Sequence, residues 1–520
     1  MKINAITKHT NFKGTYFLTC DNHSKPVASI GLFQKIEQDT KDKRNCIYID
    51  NGDFFTGMEP LMTDIYTTFA DRNKNIKPVF NLGNAEAFFI KNPSQNFFDC
   101  ISRLTNSGIT LICAPIKYVC QKVGTDEKLF KDIKPYALVQ DEIDGKKEDV
   151  LVVGTVDIRN SDVLNVDEQS KIVADAIKTG KEETGAKKVV LVSHNGIEDT
   201  KKILDNLSNI GIDDIKLVSG GHSHKIEDEE YRGARILHPA PQGKSAYKVE
   251  SDIDGFHMQK VEYDKLNRYD YSLQGKQENN DIIDNLSIDI ENIDPQYHKI
   301  IKDTDLLEEI CVAKTQIKNR IPGFKTSRPS EMGTMLANKL KDKTGADLSV
   351  VLSQDMRGEL PEIGEKIYKY QVFDVVNTDK KVWILNVNKE ELFDIFNVSL
   401  KKQHDGVANS DFLEHSSNIL IERYEDVEDE DVTDVARDGF KVGKPTKNRV
   451  KEIYLKEDGK WAPVSQMGDR KFSIATCSFI AKSGRASLSY FKNIEDKREF
   501  EPTLMTRELF VEALKEAQTL

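Results

Sequence analysis

IYIDNGDFFTG, residues 47–57, combines a strand pattern with a sharp turn and an acidic residue. The alternating apolar residues Ile47 and Ile49 predict a buried strand, which stops before Gly52. Gly52 allows an abrupt exit, so the carboxylate of Asp53 is expected at the carboxyl end of the strand. Ligands of open α/β sheets bind at that end of the strands. The stretch therefore predicts a functional carboxylate.

Four other strand-like runs end on side chains that bind metal ions. The runs are residues 15–20, 79–82, 188–192 and 215–218, and D-N-H, G-N, S-H and G-G-H-S-H follow them. A single Asp or His in such a place is more often a surface residue or a satisfied core residue than a ligand. Seven of them at five strand ends, in this order, indicate a metal centre instead. The seven are Asp21, His23, Asp53, Asn84, His194, His222 and His224.

The types of these residues suit a pair of cations. Two divalent cations about 3.5–4 Å apart need one carboxylate between them and imidazole, carboxylate or amide donors on each side. Asp53 is the predicted bridging residue. One cation is predicted to be completed by Asp21, His23 and His224, and the other by Asn84, His194 and His222.

The order of the predicted elements indicates a layered α/β fold with more than one domain. Helical stretches such as residues 27–38 and 167–184 separate the strand-like runs. Residues 300–320 have helical periodicity without Gly or Pro and predict a connecting helix. A second set of helices and strands follows, including a strand predicted at 472–480. The predicted divisions are a first domain at 1–270, a linker at 271–325 and a second domain at 326–520.

Composition restricts the class of protein. The chain has 520 residues, 38% apolar and 31% charged, and a net charge of −12, which argues against a nucleic-acid or anionic-membrane partner. Seven cysteines occur without a CxxC pair and are expected to be reduced core residues. The first residues lack an apolar signal segment, so a cytoplasmic location is expected. The acidic residues 424–438 are expected to form a solvated loop, because they lack the spacing of an EF-hand calcium loop.

The order D-x-H, GD, GN-x-E, H and GHxH resembles that of the calcineurin-like metallophosphoesterases. The second half resembles the C-terminal domain of the 5′-nucleotidase family, so the resemblance covers most of the chain. It implies a four-layer metallophosphoesterase sandwich joined by a helix to a smaller α/β domain. It also implies two divalent metal ions, most often zinc or manganese, and hydrolysis of nucleotides or related phosphoesters. Family members are largely secreted or surface-anchored, and the missing signal segment departs from this.

One departure concerns catalysis. The family carries G-N-H-E-x-D, whose histidine assists the leaving group and is paired with the aspartate. Here Ala85 and Phe88 stand at those two positions, so no catalytic residue is assigned. A lost general acid or base costs about 10²–10⁴ in rate. Loss of both partners favours a native divergence over an engineered His→Ala change.

Other departures concern the substrate. Arg328 and Arg357 match positions where family arginines bind or lie near the phosphate, and Phe479 matches a position that stacks on a base. Surface exposure and core packing are the alternative roles of these residues. The glycine-rich motif around Arg357 and the second stacking phenylalanine are missing, so the substrate does not carry over from the family.

Two functions of different classes are left open by the sequence. One is a metal-dependent phosphoesterase with altered leaving-group chemistry and substrate choice, which acts on a nucleotide or another phosphoester. The other is a metal-binding pseudoenzyme that binds a phosphorylated ligand or a protein partner without turnover. The complete ligand set favours the first, and the residues at 85 and 88 favour the second.

Overall fold

The structure is a computed structural model of the chain. It divides into two compact units, Met1–Thr304 and Asp305–Leu520. The predicted domain boundaries at 270 and 325 fall outside the described residues and stay predictions. The structure describes residues 14–41, 43, 45–91, 94–143, 146–157, 164–243, 245–252, 255–259, 293–319, 329–356, 358–376, 378–400, 412–424, 449–482 and 486–519.

Strands and helices alternate through most of the first unit. Its described strands are β1 (Gly14–Thr19), β2 (Cys46–Asn51), β3 (Ile76–Asn81), β4 (Thr110–Ile112), β5 (Ile133–Lys134), β6 (Tyr136–Ile143), β7 (Lys146–Val156), β8 (Lys188–His194), β9 (Ile215–Gly220), β10 (Glu227–Tyr231), β11 (Ala234–His238), β12 (Tyr247–Asp252) and β13 (Gly255–Gln259). Its described helices are α1 (Pro26–Thr40), α2 (Glu59–Arg72), α3 (Asn84–Lys91), α4 (Gln95–Asn106), α5 (Ile116–Val123), α6 (Val166–Thr184), α7 (Ile197–Asn209) and α8 (Pro295–Lys302).

These strands form two sheets that pack face to face. The first sheet has the order β13-β12-β1-β2-β3-β4-β5, and the second has the order β10-β11-β9-β8-β7-β6. Apolar side chains from both sheets share one core, among them Ile47 and Ile49 of β2 and Val190 and Val192 of β8. Helices cover the outer faces, so the predicted four-layer α/β sandwich is confirmed.

Strand β2 shows why the first sheet is buried on both sides. Ile47 and Ile49 point into the core between the sheets, whereas Tyr48 points to the other face. There the Tyr48 ring packs edge-on against Phe33 of α1 and Phe69 of α2. Parallel strands covered on both faces are typical of α/β folds. Because β1, β2 and β3 run parallel, their carboxyl ends meet at one edge of the sheet.

The second unit is a smaller α/β unit. Its described strands are β14 (Glu309–Val312), β15 (Leu348–Leu352), β16 (Lys366–Tyr368), β17 (Val382–Val387), β18 (Leu413–His415), β19 (Ile419–Arg423), β20 (Val450–Glu457), β21 (Lys460–Pro463), β22 (Phe472–Cys477) and β23 (Lys497–Glu499). Its described α-helices are α9 (Glu331–Thr344), α10 (Lys369–Val375), α11 (Lys389–Ser399), α12 (Ser478–Lys482) and α13 (Thr506–Thr519).

A five-stranded sheet with the order β18-β15-β22-β17-β23 is at the centre of this unit. Leu336 of α9 and Phe510 of α13 belong to the core on one face of the sheet. Leu392 and Phe396 of α11 belong to a second core on the other face. The strands β19, β20 and β21 form a separate antiparallel sheet, and β14 pairs with β16.

One sequence prediction about secondary structure is wrong, and a second places the end of a strand too late. The helix expected over residues 300–320 ends at Lys302, and Glu309–Val312 form a strand. That strand pairs with β16 while Ile310 is buried in the core, and this remote pairing outweighs the local helical pattern. The strand expected over residues 472–480 ends at Cys477, where α12 begins.

The seven cysteines carry no disulfide, and six of them are buried, as expected for reduced core residues. The cytoplasmic location inferred from the sequence stays a prediction. Among the helices that the structure describes, none is long and apolar enough to cross a bilayer. Most of the acidic segment 424–438 lies outside the described residues.

Candidate metal centre

The seven predicted ligands meet at the carboxyl ends of the strands of the first unit. Two groups of three have donor atoms within 4.8 Å of one another and are able to hold an ion. Asp21, His23 and His224 form one group, and Asp21, Asp53 and His194 form the other. Asn84 and His222 contact the second group, as detailed below. The structure therefore brings the seven side chains together, and their binding of metal ions stays a prediction.

The first group brings two imidazoles to one carboxylate. The Nε2 atoms of His23 and His224 lie 2.8 Å apart. Asp21 Oδ1 lies 3.7 Å from the first of these atoms and 3.3 Å from the second. The side chains of Asp21 and His23 are buried, whereas that of His224 is 30% exposed. One side of this group is therefore open to solvent.

The amide oxygen of Asn84 lies between His194 of the second group and His222. This oxygen lies 3.2 Å from His194 Nε2 and 2.9 Å from His222 Nδ1. His194 Nε2 also lies 3.5 Å from Asp53 Oδ1. Asn84 begins α3, and the next backbone N–H of that helix, from Ala85, donates to Asp53 Oδ1 at 2.8 Å. The positive end of the helix therefore faces the carboxylate.

Asp53 belongs to the second group and also faces the first. Its Oδ1 lies near His194, and its Oδ2 lies 3.9 Å from His23 Nε2. One carboxylate oxygen is thus directed to each side, as a bridging role requires. Asp21 Oδ1 also lies 3.7 Å from His194 Nε2, which places Asp21 in both groups. The sequence singled out Asp53 alone, because it could not show how close Asp21 comes to His194.

The backbone at the centre is held in an uncommon conformation. Five of the seven side chains sit on residues with positive φ between 50° and 78°. Non-glycine residues rarely adopt this left-handed region, which costs about 1–3 kcal/mol each and concentrates at functional sites. The five residues are Asp21, His23, Asp53, His222 and His224.

Close packing of two turns holds Asp53 in place. Gly52 has a φ of +80°, and a Cβ there would lie 2.4 Å from the backbone nitrogen of Gly83. A Cβ on Gly83 would lie 2.2 Å from the backbone nitrogen of Asp53. The two turns therefore touch at their glycines, which brings Asp53 beside the start of α3.

Neighbouring groups fix the orientation of two imidazoles. His194 Nδ1 donates to the carbonyl oxygen of Asn51 at 2.5 Å, which leaves Nε2 free for the centre. His222 Nε2 lies 3.4 Å from the buried carboxylate of Asp157, which leaves Nδ1 facing Asn84. Such partners set the tautomer of a metal-binding histidine. Asp157 was not predicted from the sequence, although it directly follows a strand as several of the predicted ligands do.

The electrostatics of the cluster favour positive charge. Burial opposes ionisation of Asp21, but His194, His224 and His23 hold the pKa of this carboxyl well below its usual range. Burial also opposes the charged form of His194, yet Asp53 and Asp21 raise the pKa of His194 to about 10. The two carboxylates therefore favour positive charge beside them. Imidazole, carboxylate and amide donors bind divalent cations, so the residues present fit a pair of such ions.

Of the two residues that follow Asn84, Ala85 has no titratable group and Glu86 binds backbone N–H groups. Ala85 ends in a methyl group. The Glu86 carboxylate is fully buried and accepts backbone N–H groups from Asp53 (2.9 Å), Gly83 (2.8 Å) and Phe55 (2.7 Å). Burial and the charge of Asp53 raise the pKa of Glu86 to about 8. The three N–H bonds nevertheless occupy this carboxylate, which joins the two turns.

The predicted substrate-binding residues belong to the second unit. Arg328 and Arg357 lie outside the described residues. Phe479 lies in α12, and its ring packs partly against one of the two cores. The Lys380 ammonium lies 5.5 Å from the centre of this ring and pairs with Asp355. Whether these residues bind substrate stays a prediction.

Comparison with known proteins identifies the second unit and the overall fold. Residues 312–492 match the family model "5′-nucleotidase, C-terminal domain". A 5′-nucleotidase precursor from Thermus thermophilus shares the fold at a TM-score of 0.64 and 15% identity, over 98% of this chain and 97% of that one. A 5′-nucleotidase from Candida albicans has a TM-score of 0.56 at 11% identity, over 96% and 98%. No curated protein sequence matches the chain.

A third solved structure limits what the fold implies. The sulfate thiohydrolase SoxB from Thermus thermophilus has a TM-score of 0.54 at 14% identity, over 94% of this chain and 80% of that one. Proteins named for different substrates therefore share this architecture. At such identities the likeness shows the fold, and the function has to be argued from the site.

Proposed function

Because the chain carries a 5′-nucleotidase C-terminal domain and has the two-domain fold of solved 5′-nucleotidases, we propose that it is a divalent-metal phosphoesterase of that type. The observation that supports this most is the convergence of seven side chains from five strand ends, in which the donor atoms of neighbouring side chains lie 2.8–3.9 Å apart. A purely structural cluster would not need five residues in left-handed conformations.

The division of labour among the ligands follows from their contacts. Asp21, His23 and His224 would hold one cation, and Asn84, His194 and His222 would hold the other. Asp53 would contribute to both, since its two oxygens face opposite sides. When bound, the cations supply positive charge that polarises a phosphoryl group and activates water. His222 and His224 are the more exposed ligands and mark the side open to substrate.

The substrate class follows from the two residues after Asn84. Ala85 ends in a methyl group, and Glu86 is fully buried with both oxygens turned to backbone N–H groups, so neither is placed to give a proton to a departing oxygen. A nucleoside alkoxide needs such a proton, whereas a phosphate or an aryl oxide leaves without one. Hydrolysis of diphosphate-type or activated phosphoesters is therefore favoured over plain nucleoside monophosphates.

Metal analysis combined with a phosphatase panel tests this function. The purified chain, loaded with zinc or manganese, is assayed on AMP, ADP and an aryl phosphate. We expect two metal equivalents per chain and turnover that is slowest on AMP. A strong preference for AMP would contradict the leaving-group argument, and a chain that binds no metal would overturn the whole proposal.

The residue at position 85 also favours a second function, that of a metal-binding pseudoenzyme. Such a protein would keep both cations to hold a phosphorylated ligand or partner without turnover. Two bound metals with no hydrolysis of any phosphoester, together with measurable binding of inorganic phosphate, would select this alternative over the enzyme.

A further inference from the structure

Two asparagines lie where the core between the two sheets would otherwise be apolar. Asn51 ends β2 and Asn81 ends β3, and the two residues are paired in register. Each continues a series of inward-facing apolar side chains, Ile47 and Ile49 in one strand and Val79 in the other. Both side chains are fully buried. A buried amide is costly unless it is hydrogen-bonded, so the pattern calls for an explanation.

The Asn51 amide joins the first sheet to the second. Its Nδ2 donates to the carbonyl oxygen of Ser193 in β8 at 3.0 Å and to that of Ser219 in β9 at 2.9 Å. The two carbonyl acceptors also establish which end of the amide is the nitrogen. Ser193 directly precedes His194, and β9 leads to His222. The amide therefore holds both strands that supply histidines to the second cation.

Asn81 supports this connection from the neighbouring strand. Its Nδ2 donates to Asn51 Oδ1 at 3.0 Å and to the carbonyl oxygen of Thr155 in β7 at 2.9 Å. The Asn51 backbone takes part as well, because its carbonyl oxygen accepts the Nδ1–H of His194. We call the two side-chain amides of Asn51 and Asn81 the asparagine bridge.

Glycines in the second sheet leave room for the bridge. A Cβ on Gly221 would lie 3.1 Å from both Asn51 Nδ2 and His194 Nδ1. A Cβ on Gly154 would lie 2.3 Å from Asn81 Oδ1. The backbone at these two glycines thus lies so close to the amides that a side chain there would crowd them. A small change in either amide would consequently change the distance between the sheets here.

We propose that Asn51 and Asn81 are positioning residues for the second cation. The asparagine bridge sets the separation at which Asp53 and Asn84, from the first sheet, meet His194 and His222, from the second. The inference rests on the proposed metal centre. The first cation depends on it less, because the backbone N–H of His222 also joins the sheets there by donating to Asp21 Oδ2 at 3.0 Å.

The test is a metal titration of the metal-free full chain carrying Asn51→Ala. Co²⁺ is added while the visible spectrum and the heat of binding are followed, so that each equivalent is counted without an activity assay. The unchanged chain should take up two equivalents. In the variant the first should bind almost normally, and the second about 10–100-fold more weakly, as is typical when a partner of a ligand is lost.

Asn319→Ala is the matched control. Asn319 is a buried asparagine of the second unit whose Nδ2 also donates to two backbone carbonyls, those of Met356 (2.9 Å) and Gly358 (3.0 Å). Its removal deletes the same kind of bonds elsewhere. We expect a comparable loss of thermal stability with both Co²⁺ affinities unchanged.

Asn81→Ala provides a milder perturbation that leaves the bonds of Asn51 to β8 and β9 in place. It should also lower the affinity for the second equivalent of Co²⁺, but by a smaller factor. The inference is overturned if both variants keep the second affinity, or if both equivalents weaken equally. A chain that takes up no Co²⁺ before any substitution would instead overturn the proposed function, and the inference with it.

Discussion

The strand ends of the first unit and the Phe479 region of the second unit have diverged to different degrees. At the strand ends, all seven predicted ligands come together, and neighbouring groups orient the rings of His194 and His222. At Phe479, by contrast, a lysine lies over the ring and is paired with Asp355. The candidate metal ligands of the first unit thus lie together, whereas the ring predicted to contact a base packs against a core and a paired lysine. Metal binding by the first unit and substrate choice by the second unit can therefore be tested separately.

The largest effect should follow from removing the residue that faces both cation groups. Asp53→Ala deletes the carboxylate between His23 and His194, so both cations should bind poorly and activity should fall by about 10³-fold or more. Metal content after dialysis and kcat/KM on an aryl phosphate measure this. Asp141→Asn is the control, since Asp141 is an equally buried carboxylate that accepts from Tyr16 OH at 3.0 Å. If Asp53→Ala retained two metal ions, Asp53 would not be the residue that bridges them.

Restoring the proton donor should give the next largest change, in the opposite direction. The double variant Ala85→His and Phe88→Asp is expected to raise turnover of AMP by about 10²–10⁴-fold, the usual value of a positioned general acid. Turnover of an aryl phosphate should rise much less, because its leaving group needs no proton. Ala85→Gln, which adds a polar group without a proton to give, is the control. An equal gain on both substrates would contradict the leaving-group argument.

A smaller effect is expected at the carboxylate behind His222. Asp157→Asn leaves the shape of the side chain but weakens its hold on His222 Nε2, 3.4 Å away. Affinity for the second cation should fall by about 10-fold, while the first is retained. Calorimetric titration with Zn²⁺ measures both steps. Asp205→Asn, at a surface ion pair with Arg232, serves as the control. Unchanged affinity for the second cation would show that Asp157 does not orient His222.

The smallest effect tests the second unit. Lys380→Met removes the ammonium over Phe479 and leaves the largely buried Asp355 carboxylate unpaired, which should cost about 2 kcal/mol of unfolding free energy. Metal content should not change. Lys482→Met is the matched control, because Lys482 lies over the Trp383 ring at 4.6 Å. Denaturant unfolding compares the two, and equal losses would show that the pair with Asp355 contributes nothing.

The candidate ligands could be picked out from the sequence because each is local to a strand end, and their binding of metal stays a prediction. A polar residue that follows an apolar run and lies next to a glycine is a short-range pattern, so it can be recognised without knowledge of the fold. The layered α/β architecture was predictable for the same reason, since alternating strand and helix patterns allow few arrangements. The strand β14 was missed because its partner β16 lies far along the chain, and no local pattern carries that information.

The supporting residues were missed for a related physical reason. Glu86, Asp157 and the asparagine bridge act through contacts between strand ends that are distant in sequence. One signal was nevertheless present: Asn51 and Asn81 interrupt inward-facing apolar patterns just before the turns that carry ligands. A polar residue at an inward-facing strand position therefore indicates a functional role. Arg328 and Arg357 stay predictions, since they lie outside the described residues.

The most direct test of the metal centre is anomalous X-ray diffraction from crystals of the full chain grown with zinc or manganese. Two peaks about 3.5–4 Å apart are expected, one beside Asp21, His23 and His224 and the other beside Asn84, His194 and His222, with Asp53 between them. Absence of both peaks from these side chains, with the metal found elsewhere or not at all, would contradict the account.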